Sequence, residues 1–174
     1  MALLKETVII GIDGPCASGK TTLAQKLAEL TDAQVIHTDD FFLPFEMKTP
    51  ERMAQAGGNV HYERFASEVS SGIASQKPFE YGVYSCKEGR VTKQKSVDPT
   101  GIIIVEGSYS LHPEMKISYD LTIFVEAQKG IRLERIKERN GKEALAAFES
   151  KWIPLEDKYF ESFGIKKHCD IVIE

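Results

Sequence analysis

Cysteine, long apolar runs and excess positive charge are scarce in this sequence, and each shortage excludes a class of protein. The three cysteines, Cys16, Cys86 and Cys169, are far apart and odd in number, which argues against a disulfide framework. No Cys-x-x-Cys pair suggests a zinc site. No segment approaches the roughly 18 continuous apolar residues of a membrane-spanning helix, and the start of the sequence lacks the apolar core of a secretory leader. With 22 Lys and Arg against 26 Asp and Glu, the formal net charge is −4, and no basic stripe offers itself to nucleic acid. Repeats, low-complexity tracts and linkers are also missing. The expectation is a cytoplasmic globular protein with neither membrane nor nucleic acid as partner, whose 174 residues suffice for a single domain.

Against this plain background one segment stands out. The apolar run Val8–Ile12 breaks into Gly14-Pro15-Cys16-Ala17-Ser18-Gly19-Lys20-Thr21-Thr22, followed by the amphipathic stretch Leu23–Leu30. A strand, a G-x-x-x-x-G-K-T loop and a helix, in that order, build a phosphate cradle. Gly14 and Gly19 let the backbone turn its N–H groups inward, with Ala17, Ser18 and Thr22 completing the wrap. The helix adds its positive N-terminal end at the same point. Lys20 can then reach the β- and γ-phosphates of a nucleoside triphosphate, and the Thr21 hydroxyl can hold Mg²⁺.

Apolar runs at Thr7–Ile12, Gln34–Thr38, Gly101–Val105, Leu121–Val125 and Ile171–Ile173 read as buried parallel strands. Helical patterns at Lys20–Leu30, Tyr62–Ala74 and Lys129–Arg139 lie between them. Strand alternating with helix predicts an α/β fold: a five-stranded parallel sheet flanked by helices, of the P-loop NTPase type. Phe41–Gly58 reads as a loop or loosely helical excursion, and Pro78–Pro99 as a small hairpin. The expected organisation is one domain over residues 1–174, with an acceptor-site insert at about 41–99 and a helical lid at about 132–150.

Ligands in such sheets bind beyond the carboxyl ends of the strands. Two of those ends are acidic. Val35–Thr38 runs into Asp39-Asp40, where a carboxylate can accept a proton from an attacking hydroxyl, help order Mg²⁺, or simply cap a turn. Ile102–Val105 ends in Glu106, whose reach suits Mg²⁺ through water. Arg132, Arg135 and Arg139 share one helical face, so at least one can close over a triphosphate, with Arg135 or Arg139 ahead.

These residues bring a family into view. Ile12–Ala24, His37-Thr38-Asp39-Asp40-Phe41-Phe42 and Val105-Glu106-Gly107, with Trp152–Glu156 and Cys169–Ile173, resemble the uridine kinase-like P-loop kinases, a group that also holds nicotinamide riboside kinases. The resemblance implies transfer of the γ-phosphate of ATP, with Mg²⁺, to a hydroxyl of a small acceptor such as a nucleoside. By position it implies Asp39 as base and Glu106 in the Mg²⁺ environment. Around the acceptor the pattern departs: Val60-His61-Tyr62 stands where uridine kinases carry Asp-His-Pro, and Phe79-Glu80-Tyr81 with Tyr84 where they carry Tyr-Asp-Phe and a His. Phe42, His61, Tyr62, Arg64, Glu80, Tyr81 and Tyr84 are therefore the expected acceptor-site residues. A nucleoside would use a stacking aromatic among Phe42, Tyr62 and Tyr81. A charged acceptor would use Arg52, Arg64 or Arg90. Nicotinamide riboside, pantothenate and a sugar are the alternative acceptors, and a non-catalytic ATP-binding module is the alternative to an enzyme. A homo-oligomer is left open.

Overall fold

The computed structural model describes residues 7–174; the first six residues, part of the expected domain and of the stretch read for a leader, lie outside them. Strand β1 (Val8–Asp13), helix α1 (Lys20–Thr31) and strand β2 (Gln34–His37) come first. Short helices α2 (Pro50–Met53), α3 (Tyr62–Phe65) and α4 (Ser71–Ser75) precede a hairpin of β3 (Phe79–Ser85) and β4 (Arg90–Val97). Then follow β5 (Ile102–Glu106), β6 (Leu121–Val125) and α5 (Lys129–Asn140). The chain closes with α6 (Lys142–Ala147), α7 (Ile153–Phe163), α8 (Ile165–His168) and β7 (Ile171–Ile173).

Five strands form one sheet in the order β2-β5-β1-β6-β7, every pairing parallel. The fold is α/β of the P-loop type. Apolar runs suit central strands because both faces are buried, and successive residues serve opposite sides. Ile104 packs with Ile12 and Ala24 under α1, whereas Ile103 and Val105 join Phe41, Phe65 and Tyr81 on the other face. The segment between β2 and β5 therefore shares a core with the sheet rather than owning one.

The expected strands all occur, displaced by at most one residue at an end except Leu121–Val125 and Ile171–Ile173, which match. The expected helix Tyr62–Ala74 is interrupted by a wide turn at Ala66–Ser70, flanked by α3 and α4. Loosely helical Phe41–Gly58 holds a tight helical turn at Phe45–Met47 and α2, where Thr49 caps the Arg52 N–H. Periodicity does not announce the long helical tail from Lys142 to Phe163.

Two glycines answer to close contact. At Gly14, φ is +142°, and a Cβ would stand 2.1 Å from the carbonyl oxygen of Val125. At Gly107, φ is +132° and a Cβ would stand 2.1 Å from Thr38 Oγ1. Only glycine lets the loops after β1 and β5 pass so near their neighbours.

The last residue of β1 ties the layers together. Asp13 is fully buried. Its Oδ1 accepts the Gly14 and Tyr109 N–H groups at 2.7 and 3.2 Å. Its Oδ2 accepts the Leu111 N–H at 3.0 Å and the Tyr159 hydroxyl at 2.8 Å. Burial pushes its carboxyl up from 3.8 to about 6, against the pull of the Leu111 and Gly14 N–H groups and the Tyr159 hydroxyl. Asp13→Ala strands four donors, so urea unfolding should show a loss of about 3 kcal/mol or more. Because the folded value is the raised one, Asp13 contributes fully below 3.8 and loses that contribution as pH rises through about 6. The stability gap between wild type and Asp13→Asn should therefore narrow over this window; a constant gap would refute the assignment.

Candidate active site

The carboxyl ends of β1, β2 and β5 meet in one open cleft of about 2260 Å³. β5 lies between the other two, and its last residue, Glu106, is in register with Ile12 on β1 and His37 on β2. Backbone register alone thus sets the acidic end of β5 beside the phosphate loop. The cleft is lined by Ala17 through Thr22 on one side and by Asp39, Phe42, Asn59, Glu106 and Tyr109 on the other. Arg132, Arg135 and Arg139 of α5 also face it.

Within the loop, Lys20 is buried and its Nζ donates to the Pro15 carbonyl at 2.8 Å, with Ser108 Oγ at 3.4 Å. Thr21 Oγ1 lies 3.2 Å from both oxygens of Glu106. His37 Nδ1 stands 2.5 Å from Glu106 Oε1, and this hydrogen bond raises the imidazole pKa. A hydroxyl facing a carboxylate, with Asp39 nearby, is an all-oxygen donor set of the kind Mg²⁺ accepts. Among the described residues no cluster of three or more His, Cys, Asp or Glu forms a metal cage.

Asp39 and Asp40 are neighbours with opposite environments. Asp39 opens to the cleft, makes no hydrogen bond recorded among the described residues, and has its pKa raised by desolvation from the cleft walls and then by Glu106. Asp40 is buried: Lys95 Nζ donates to its Oδ2 at 2.8 Å and the Tyr81 hydroxyl at 3.1 Å. Asp40 latches the hairpin, leaving Asp39 as the carboxylate that faces a ligand.

Among the described residues, three buried side-chain atoms have no hydrogen-bond partner: Ser18 Oγ, Asn59 Oδ1 and Arg132 Nε. All three residues line this cleft. Buried polar groups are rarely left unpaired, and one way to satisfy them here is a ligand rich in oxygen atoms and hydroxyls.

The arginines separate. Arg132 is 5% exposed and unpaired at Nε. Arg135 donates to the Ala17 carbonyl at 3.0 Å and so braces the loop backbone. Arg139 is exposed and bonds the neighbouring Asn140 side chain at 2.8 Å. All three arginines line the cleft, Arg132 as the buried one, Arg135 against the loop backbone and Arg139 exposed.

Most of the expected acceptor residues lie away from this cleft. Phe42 lines the cleft, but His61, Tyr62, Arg64, Glu80, Tyr81 and Tyr84 do not. His61 Nδ1 accepts the Arg64 N–H, capping α3, and burial lowers its pKa. Tyr62 is stacked on His112 at 4.6 Å, with the Arg52 guanidinium 3.9 Å from its ring centre. Arg64 donates to Glu68, to the Gly82 carbonyl and to the Asp40 carbonyl. Glu80 bonds Ser96 across the hairpin, Tyr81 holds Asp40, and Tyr84 is buried in the hairpin. Arg64 and Tyr81 hold Asp40, next to Asp39, while the others bond within the hairpin and the short helices. Conversely, Asn59 and Ser108 reach the cleft with no motif to mark them, and Glu156, the last residue of the Trp152–Glu156 segment, arrives from α7, far along the chain.

No protein-family model matches the chain. The uridine kinase of Lactobacillus helveticus is 27% identical, over 99% of this chain and 89% of that protein. Uridine-cytidine kinase C of Dictyostelium discoideum is 26% identical over 75% of this chain, which spans only 29% of that much longer protein. A solved chain described as a possible uridine kinase from Bacillus stearothermophilus superposes with a TM-score of 0.73 over 97% of this chain and 89% of its own, at 18% identity, a likeness of fold. The phosphate loop, the acidic strand ends and a nearly full-length likeness to curated uridine kinases agree: the chain is similar to the uridine kinase-like P-loop kinases.

Proposed function

We propose that this kinase uses Mg²⁺-ATP to phosphorylate a hydroxyl of an uncharged, hydroxyl-bearing small acceptor, with a nucleoside as the leading candidate. The observation that carries this reading is the convergence of Lys20, Asp39 and the Thr21–Glu106 pair on one cleft with three unpartnered buried polar atoms. The phosphate loop and Lys20 bind and orient the triphosphate, and Arg132 neutralises charge that develops on the transferred group. Thr21 and Glu106 would hold Mg²⁺, which when bound supplies charge neutralisation at the phosphates. Asp39 accepts the proton of the attacking hydroxyl while the new O–P bond forms, the bond to the β-phosphate oxygen breaks, and ADP leaves.

The acceptor side favours a neutral molecule. Arg52 is paired with Glu63 and Arg64 with Glu68, while Arg90 pairs with Glu88 on the exposed hairpin. None of the three lines the cleft. Asp39 and the free Oδ1 of Asn59 offer acceptors there, which suit hydroxyl donors and repel carboxylates or phosphates. Phe42 and Trp152 supply flat apolar surface beside them. The names of the relatives point to a nucleoside within that class.

Measuring ADP release over a panel of nucleosides, nicotinamide riboside, sugars and pantothenate tests this directly. Neutral nucleosides should stimulate it and pantothenate should not; stimulation by the carboxylate alone would overturn the reading. Asp39→Asn should leave ATP affinity within a few-fold and cut turnover about a hundredfold. Because a base must be ionised and the Asp39 value is raised, wild-type kcat/KM should fall on acidification through a pKa above the ordinary 3.8. That acid limb should vanish in the variant. Arg132→Ala should lower kcat by about tenfold or more, whereas Arg139→Ala should stay within about twofold. The reverse order in steady-state kinetics would restore Arg139.

A further inference from the structure

One buried carboxylate in the cleft has no part in the transfer just described. Glu156, on α7, is 5% exposed and spans two loops. Its Oε2 accepts the Cys16 N–H of the phosphate loop at 2.9 Å. Its Oε1 accepts the Ser108 hydroxyl of the loop after β5 at 2.8 Å. Ser108 Oγ also lies 3.1 Å from the Gly14 carbonyl, but its single proton serves the nearer, charged partner. Donating that proton leaves the oxygen lone pairs free, and Lys20 Nζ lies 3.4 Å away on the side that can use them. The result is a chain of contacts from Cys16 through Glu156 and Ser108 to Lys20.

The anchoring of α7 makes this chain stiff. One turn beyond Glu156, Tyr159 is fully buried and bonded to Asp13 at the base of the same loop. Residues three apart lie on one helix face, so the two contacts fix both the position and the rotation of α7 against the loop. Before α7 the chain runs through α5, which carries Arg132 and Arg135, and then α6.

We propose that Glu156 is a positioning residue, holding the first turn of the phosphate loop through Cys16 and steering the Lys20 ammonium through Ser108. The role rests on the phosphoryl-transfer reading above. It acts on the transition state rather than on acceptor affinity, because Lys20 serves the charge that develops in transfer.

The test is a double-mutant cycle with a structural readout. Glu156→Ala should lower kcat about thirtyfold in the wild-type background but by less than about threefold in the Lys20→Ala background, with acceptor KM nearly unchanged. Glu156→Gln should recover to within about threefold of wild type, since its amide oxygen can accept from Cys16 while its NH₂ donates to Ser108. Equal losses in both backgrounds, or a Gln variant as poor as Ala, would overturn the proposal. Rates are referred to folded protein, measured by urea unfolding of each variant. Independently of any turnover, the Cys16 amide should exchange its hydrogen at least about tenfold faster in Glu156→Ala while the Leu111 amide, bonded to Asp13, keeps its rate. An unchanged Cys16 rate refutes the inference even if the acceptor is not a nucleoside. A wild type that turns over no acceptor refutes the functional reading and leaves this inference to be decided by the amide rates.

Discussion

A single buried carboxylate, Asp13, ties together the phosphate loop, the segment after β5 and helix α7. It closes β1 and opens the phosphate loop, and its two oxygens collect the Gly14, Tyr109 and Leu111 N–H groups and the Tyr159 hydroxyl. Those donors come from the phosphate loop, the segment after β5 and helix α7. A neutral side chain of that size offers fewer acceptor sites, so the four contacts need an acid there. The cost is desolvation, visible in the raised pKa, and the return is that three segments distant in sequence are held in one geometry.

That geometry explains why α7 reaches the cleft. Tyr159 sets the helix depth, and Glu156, one turn earlier, then meets Cys16 and Ser108. The aromatic rings of Tyr109, Tyr159, Phe160 and Phe163 fill the space around the junction, with centroids 4.9 to 5.7 Å apart for the pairs Tyr109–Tyr159, Tyr159–Phe160 and Tyr159–Phe163. Polar contacts fix the orientation while ring packing excludes the water that would compete for them. The cleft is therefore rigid on its phosphate side, where transition-state charge has to be met by groups already in place.

The donor half of the site is legible in the sequence because it is local. A strand, a glycine loop and a helix are adjacent in the chain, so Lys20, Thr21 and the loop glycines carry their own geometric context. The apolar strands are legible for the same reason: a run buried on both faces needs no partner to be recognised. The acceptor half obeys different physics. Tyr81 and Arg64 look like ligand-binding residues by type, yet Tyr81 is drawn to Asp40 and Arg64 to the Gly82 and Asp40 carbonyls. Asn59 and Glu156, which do reach the cleft, owe their positions to contacts across long stretches of chain. Residue type reveals what a side chain can bond; only packing decides with which group it does.

The Asp39-Asp40 pair shows how fine that decision is. Residues 38–41 form a tight three-residue-per-turn helix, in which successive side chains point about 120° apart. One aspartate consequently faces the cleft and the next faces the hairpin, where Lys95 and Tyr81 take it up. An extended continuation of β2 would also send the two carboxylates to opposite sides, but of the sheet, and would leave Asp40 unable to latch β3. The turn thus converts two identical residues into one open carboxylate and one structural anchor. The anchor in turn fixes the wall beside Asp39. In the transfer proposed above, the role of the first aspartate depends on the second being unavailable for it.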